Sequence, residues 1–209
     1  MNILVDALVT SDPAMILEGS PQNEIAKLFE DENIKAKNYV CISMRDWKYN
    51  PPDFEEKIAK TADYIIEKHN LGVIFIPMQH PADIAISERI AAKMQHKADI
   101  IRKRITIENT IGIIRDAKFV LAMRLHTLVY AVSMNTPVIA IKYDPKVDGF
   151  MEYLKQKYFL SVEAIEEEVL KLFVDKCAKE EIAEKSKLLC EEMREKARKN
   201  IEIALELLN

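Results

Sequence analysis

Glycine is scarce in this sequence, four residues in 209, and Gly19, Gly72, Gly112 and Gly149 stand too far apart for a GxGxxG turn or a P-loop. Phosphate recognition, if present, has to rest on arginine, lysine and helix N-termini. Cysteine is also sparse and odd in number. Cys41, Cys177 and Cys190 show no CxxC spacing, which argues against a disulfide framework or a zinc site, and Cys41 sits in an apolar run as a small core residue. His80 and Asp83 have no further His, Cys or carboxylate at ligand spacing, so no metal is expected. No apolar segment approaches the ~20 residues that span a bilayer. Met1-Asn2-Ile3 lacks the basic start of a signal peptide, and the expected location is cytoplasmic. Basic excess is missing as well: 30 Lys and Arg against 34 Asp and Glu give a net charge of −4. Nucleic acid is therefore not an expected partner, and Arg102-Lys103-Arg104 reads as a solvated turn.

What the chain does have is a clean separation of apolar and polar runs between Phe119 and Phe150. Phe119 to Met123 and Val138 to Ile141 have the composition of buried parallel strands, and Leu125 to Met134 between them reads as an apolar helix. Arg124 and His126 fall where strand gives way to helix, where unpaired N–H groups and the helix dipole favour an anion. Lys142, Tyr143, Asp144 and Lys146 follow the second strand. In a parallel sheet they reach the same carboxyl-end edge, where open α/β sheets bind ligands.

The rest of the chain repeats the alternation. Asp12-Pro13-Ala14 opens a helical segment, with Asp12 read first as a cap and second as a substrate-facing group. Asn23 to Asn33 is amphipathic, Tyr39 to Met44 a strand, and Arg45 lies just past its end beside the lone Trp47. Arg45 is either stacked on Trp47 at the surface or a second cation of the cleft. Asp53 to Lys68 is a helix, Gly72 to Pro77 a buried strand, and Met78-Gln79-His80-Pro81 its cleft-side loop. His80 is a loop residue that could also assist chemistry. Asp83 to Met94, Ala98 to Ile101 and Thr106 to Arg115 follow as helix, strand and helix, with Glu108 in the last one's first turn. Val147 to Leu154 continues as a short helix, Ser161 is expected to cap a helix over Val162 to Asp175, and Lys179 to Leu208 is a long amphipathic helix. The predicted class is α/β: a Rossmann-like three-layer sandwich with a mostly parallel sheet of about five or six strands.

Met123-Arg124-Leu125-His126 followed by Tyr143-Asp144-Pro145-Lys146-Val147 resembles the C-terminal part of the polysaccharide pyruvyl transferase family, closest to its CsaB-like cell-wall members. Asp12-Pro13-Ala14 and Ser43-Met44-Arg45-Asp46-Trp47 resemble family landmarks in the same order. Ala122 stands where the family pattern leads one to expect glycine, and its methyl group is expected to crowd a turn. The resemblance implies a fold similar to the C-terminal domain of GT-B glycosyltransferases and transfer of pyruvate from phosphoenolpyruvate to sugar hydroxyls as a ketal. A complete GT-B enzyme takes roughly 300 residues or more. Half of it is thus expected to be missing: residues 1–10 a linker or residual strand, 11–160 the donor-binding domain, and 161–209 helices packed on it.

Phosphoenolpyruvate carries a phosphate and a carboxylate, so its site needs several fixed cations. On this reading Arg45, Arg124 and Lys146 bind the donor and His126 is the acid and base, with His80, Glu108 and Asp144 as secondary candidates. Glu108 is equally a helix-end carboxylate and a GT-B-like ribose ligand. Arg124 and His126 could instead be a buried pair anchoring the helix. No cofactor is expected beyond phosphoenolpyruvate as co-substrate. The expected partners are that donor and a lipid- or polymer-linked sugar. The apolar stripe of the last helix, Ile182, Leu189, Met193, Ala197, Ile201 and Leu205, would be partly exposed without the other half and would favour a homo-oligomer. The alternatives are a nucleotide-sugar glycosyltransferase donor domain and a noncatalytic anion-binding or assembly module.

Overall fold

The computed structural model describes residues 8–179 and 184–208. The apolar run expected from Asn2 lies outside them, apart from the exposed, non-strand Leu8 and Val9, and so does Ile182. Strand composition sets the centre of the fold. Alternate side chains of a strand point to opposite faces, and in β1 (Tyr39–Ser43) Tyr39 and Cys41 enter one buried cluster while Val40 and Ile42 enter another. The same split runs through β2 (Gly72–Phe75), β4 (Val120–Ala122) and β5 (Val138–Lys142). With β3 (Asp99–Ile100) and β6 (Phe159–Ser161) they form one parallel sheet in the order β3-β2-β1-β4-β5-β6.

A sheet apolar on both faces needs two helical layers. α1 (Gln22–Asp31), α4 (Ile107–Arg115), α5 (Leu125–Ser133), α6 (Pro145–Tyr153) and α8 (Glu184–Glu206) contribute buried residues to one cluster. α2 (Phe54–His69), α3 (Ala82–Ala91) and α7 (Glu167–Lys179) contribute to the other. The three-layer α/β fold with a parallel sheet is thus the observed one. The order of strands reverses between β1 and β4, which creates a switch point where the loops after them diverge and leave a crevice.

Three local expectations differ from the structure. β6 is an additional strand, short and half-buried, with too little apolar pattern to announce itself. Ser161 does not cap a helix: its hydroxyl donates to the Glu163 carboxylate, only a short turn Val162–Ala164 follows, and α7 begins at Glu167. The break lies at Ile165, which is buried and extended and whose carbonyl accepts from Lys57 Nζ at 2.8 Å. Ala122 crowds no turn, because it is the last residue of β4, fully buried between Ser43 and Ala140. All three cysteines are buried and none is in a disulfide. Among the described residues no helix is long and apolar enough to cross a membrane.

α8 packs on α5 and on the 3-10 turn Pro13–Ile16, with Cys190, Met193 and Ala197 buried and Leu188, Ile201 and Leu205 exposed. Asn200 ties it to the entering chain, accepting from Thr10 Oγ1 at 2.7 Å and donating to the Ser11 carbonyl at 2.9 Å.

Two features yield predictions. At Gly112 in α4, an added Cβ would lie 2.9 Å from the Ser20 carbonyl oxygen, a backbone atom that cannot move aside cheaply. Helix propensity favours alanine by about 1 kcal/mol, but overpacking against backbone costs about 1–3 kcal/mol. Gly112→Ala should therefore lower stability, by about 1 kcal/mol net in denaturant unfolding. Second, Asp175 of α7 accepts from Tyr64 at 3.0 Å and pairs with His69 at 2.8 Å, both on α2. Burial alone would raise its pKa, but the hydrogen bonds from His69 and Tyr64 hold the carboxyl below its ordinary range. A depressed carboxylate stabilises the fold above its unfolded pKa, about 3.9, and loses that contribution as pH falls through the folded value. Asp175→Asn should thus lower the melting midpoint at neutral pH, with the gap to the parent closing below about pH 4 in a series of thermal melts.

Candidate functional site

The crevice is built from the loops that follow β2, β1, β4 and β5, side by side at the carboxyl edge. Ser43 pairs with Ala122, and the Met123 N–H bonds to the Ser43 carbonyl at 2.9 Å. Arg45 and Arg124 each follow this last pair by two residues. Beneath them runs a buried chain of hydroxyls: Thr127 Oγ1 donates to Ser43 Oγ at 3.1 Å, and Ser43 Oγ donates to the Ile76 carbonyl at 2.9 Å. It satisfies the polar groups where three elements meet.

Arg124 is the residue ahead of α5, as the sequence places it, but its guanidinium is already engaged. Nε bonds to Asp83 Oδ2 at 2.9 Å, Nη2 bonds to Asp83 Oδ1 at 2.5 Å and to Gln79 Oε1 at 3.0 Å. Asp83 is fully buried and also accepts from the backbone N–H groups of Met78 and Gln79, at 3.0 and 2.9 Å. Arg124 thus faces the crevice with its charge neutralised and only Nη1 unengaged among the described residues. The carboxylate partner, Asp83, was missed in the sequence, 41 positions away. Its signal was an Asp in the first turn of a helix that starts at the cleft edge.

Arg45 differs. Its guanidinium lies 5.3 Å from the Trp47 ring centroid and 5.2 Å from that of Tyr143, and Nη1 donates to the Tyr143 hydroxyl at 2.9 Å. The stacking anticipated from Trp47 is present, with Tyr143 as an unforeseen second wall, yet no carboxylate meets this cation. Arg89, Arg102, Arg115, Arg124, Arg194 and Arg198 each have a carboxylate partner, whereas Arg45 and Arg104 have none among the described residues. Both lie past the carboxyl ends of strands.

His126, in the first turn of α5, has a side chain 57% exposed, with Nε2 3.7 Å from Asp12 Oδ2. Asp12 fills the capping role through its other oxygen, which accepts from Ala14 N at 2.9 Å. The His126 ring lies 6.0 Å from that of Tyr130. Burial, then the charges of Asp12 and Glu108, push the Tyr130 phenol up, so it stays protonated. Of the other candidates, Asp144 caps α6 by accepting from Lys146 N at 2.9 Å, and the Lys146 side chain is exposed. Lys142 is paired with Asp148 at 3.2 Å. Glu108 is exposed in the first turn of α4, whose cap is Thr106, and His80 is half-buried on the β2–α3 loop. No group of three or more His, Cys, Asp or Glu residues able to hold a metal occurs among the described residues.

Solved structures that share this fold are two-domain GT-B-like enzymes at low identity. They include the UDP-GlcNAc 2-epimerase of Methanocaldococcus jannaschii in complex with UDP-GlcNAc and UDP (TM-score 0.61, 12% identity, 95% of this chain and 54% of that one). A trehalose-6-phosphate protein from E. coli bound with UDP-2-fluoro glucose has TM-score 0.58 and 14% identity over 92% of this chain and 47% of its own. A family 9 glycosyl transferase from Veillonella parvula has TM-score 0.55 and 12% identity over 78% and 53%. The chain spans about half the length of these structures. No curated protein sequence matches it. The sequence profile described as polysaccharide pyruvyl transferase matches residues 2–145, most of the chain and every element of the crevice up to the start of α6, and the chain belongs to that family.

Proposed function

We propose that this chain is the donor-binding half of a polysaccharide pyruvyl transferase, taking phosphoenolpyruvate at the crevice and transferring its pyruvate to two hydroxyls of a sugar. The observation that carries the reading is Arg45: a stacked guanidinium without a carboxylate partner among the described residues, two residues past the end of β1 as Arg124, ahead of α5, is two past the end of the neighbouring β4. Such a cation suits a ligand that brings its own carboxylate and phosphate. Arg45 takes one anionic end, the free Nη1 of Arg124 and the first N–H groups of α5 the other, and Lys146 approaches from the α6 side. The Asp83 pair holds Arg124 in place rather than supplying net charge.

In this reading His126, exposed and beside Asp12, moves the protons. The imidazolium delivers a proton to the enol methylene as one sugar oxygen bonds to the central carbon, and the imidazole then holds the proton given up by that hydroxyl. The carbon–oxygen bond to phosphate breaks, the second sugar oxygen bonds in its place, and its proton leaves with the phosphate. The products are a cyclic ketal and inorganic phosphate, and no redox partner or cofactor is required. A lipid- or polymer-linked sugar is the acceptor in this scheme, and the cytoplasm is its expected site.

Calorimetric titration of the chain with phosphoenolpyruvate, UDP-sugars and inorganic phosphate tests the donor. Selective binding of phosphoenolpyruvate is expected, weakened about 10- to 100-fold by Arg45→Ala, the cost of a lost charge-assisted hydrogen bond. Binding of UDP-sugars alone would replace this reading with glycosyl transfer, which the UDP-bound neighbours favour. His126→Ala should leave donor affinity within a few fold while lowering turnover of the complete enzyme by about 10²- to 10⁴-fold. Arg124→Ala is predicted to act on folding, costing about 3 kcal/mol in denaturant unfolding because it strands the buried Asp83 carboxylate.

A further inference from the structure

Beside the crevice lies a cleft of about 230 Å³ that the donor scheme leaves unused. Its apolar lining comes from Pro77 and Met78 of the β2–α3 loop, Ile105 and Ile107 around the start of α4, and Tyr130 of α5. Its polar lining comes from Gln79, His80, Arg104 and the buried Thr110. The volume falls below the ~300–1,000 Å³ typical of pockets for drug-sized ligands, so it suits a single ring and its substituents. A lining that mixes apolar side chains with donors and acceptors matches a pyranose, which has C–H faces and a hydroxyl edge.

Two contacts connect the cleft to the reaction edge. Gln79 of the lining accepts from Arg124, and Tyr130, also of the lining, lies 6.0 Å, ring to ring, from His126. One feature points to an anionic substituent. Arg104 is the second arginine without a carboxylate partner; its neighbours in the basic run are paired, Arg102 with Glu88 and Lys103 with Glu32. All three are exposed, as expected of a solvated turn, and Arg104 also lines the cleft. The N–H groups of Ile107 and Glu108, in the first turn of the nine-residue α4, precede its first intrahelical bond, and Ile107 lines the cleft with Arg104.

We infer that this cleft is the acceptor subsite, holding a pyranose that carries a phosphate, with the ring on Met78, Ile107 and Tyr130 and the phosphate at Arg104 and the start of α4. The assignment as acceptor rests on the pyruvyl transfer reading. The phosphate is the chemistry common to lipid-linked and nucleotide-linked sugars. Glu108 offers a carboxylate to a sugar hydroxyl, and the protonated Tyr130 phenol offers a donor.

The test is a ¹H–¹⁵N titration of the full chain with glucose 1-phosphate, alongside glucose, inorganic phosphate, UDP and phosphoenolpyruvate. Glucose 1-phosphate should give saturable shifts at Ile107, Glu108, Thr110 and Tyr130. Its dissociation constant should rise about tenfold or more in Arg104→Ala, the loss expected for one charge-assisted contact. It should rise likewise in Ile107→Glu, a substitution at a position 50% exposed that places a carboxylate in the mouth of the cleft. Both variants should keep their response to phosphoenolpyruvate. Absence of shifts, equal shifts with inorganic phosphate, or stronger binding of UDP than of the sugar phosphate would each overturn the subsite. A lost phosphoenolpyruvate response with intact sugar phosphate binding would instead remove the donor reading and leave a sugar phosphate site.

Discussion

The buried ion pair of Asp83 and Arg124 is the contact on which the crevice depends. Asp83 has no exposure to solvent and receives four hydrogen bonds, two from Arg124 and two from backbone N–H groups of the β2–α3 loop. Burying a carboxylate and a guanidinium costs several kcal/mol per ion, recovered only when geometry and hydrogen bonding are both satisfied. Here they are, and the consequence is positional. The loop after β2 and the junction after β4 flank β1 on its two sides, so the pair spans the strand that carries Arg45 and fixes the spacing of the loops around it.

The pair also decides how positive charge is distributed. A guanidinium bound bidentately by a buried carboxylate adds little field, and Lys142 is similarly offset by Asp148. The chain has four more acidic than basic residues, counting Lys and Arg against Asp and Glu, so carboxylates are in surplus. In such a chain an arginine without one is informative, because a neighbouring carboxylate would lower its energy at little cost on the surface. Arg45 is held instead between Trp47 and Tyr143, whose ring faces attract the cation without neutralising it. The stacking keeps the guanidinium placed and leaves its charge available to an incoming anion.

How much of this could be read from the sequence follows from the range of each interaction. β1, β2, β4 and β5 and the helices between them were legible because burial on both faces writes continuous apolar runs, whereas the strand order that makes the switch point was not. β6 was not, since its three residues are half-buried and need only pair with β5. The Asp12 cap was legible because its partner is two residues away. The carboxylate opposite Arg124 and the hydroxyl opposite Arg45 lie 41 and 98 positions away, and no local pattern encodes such pairs. Composition could not single out Arg104: three adjacent basic residues look alike in sequence and all are exposed, yet Glu88 and Glu32 engage two of them and leave the third at a cleft.

The two unpaired arginines divide the carboxyl edge between them. Arg45 stands after β1, at the switch point, and Arg104 after β3, at the flank of the sheet. The loop after the intervening strand β2 carries Gln79, already bonded to Arg124, while His126 follows β4 and lies near Tyr130 of the cleft. A transferase of two substrates needs two anchoring points with the proton-moving group between them, because reacting atoms must meet at about 3–3.5 Å while their charged tails point apart. One cation alone would favour stacking both anionic substrates at the same spot, where they repel. In the proposed scheme, free cations after the two strands that flank β2 would hold donor and acceptor apart and so avoid that repulsion. This arrangement follows from which guanidinium groups the fold pairs internally and which it leaves for ligand.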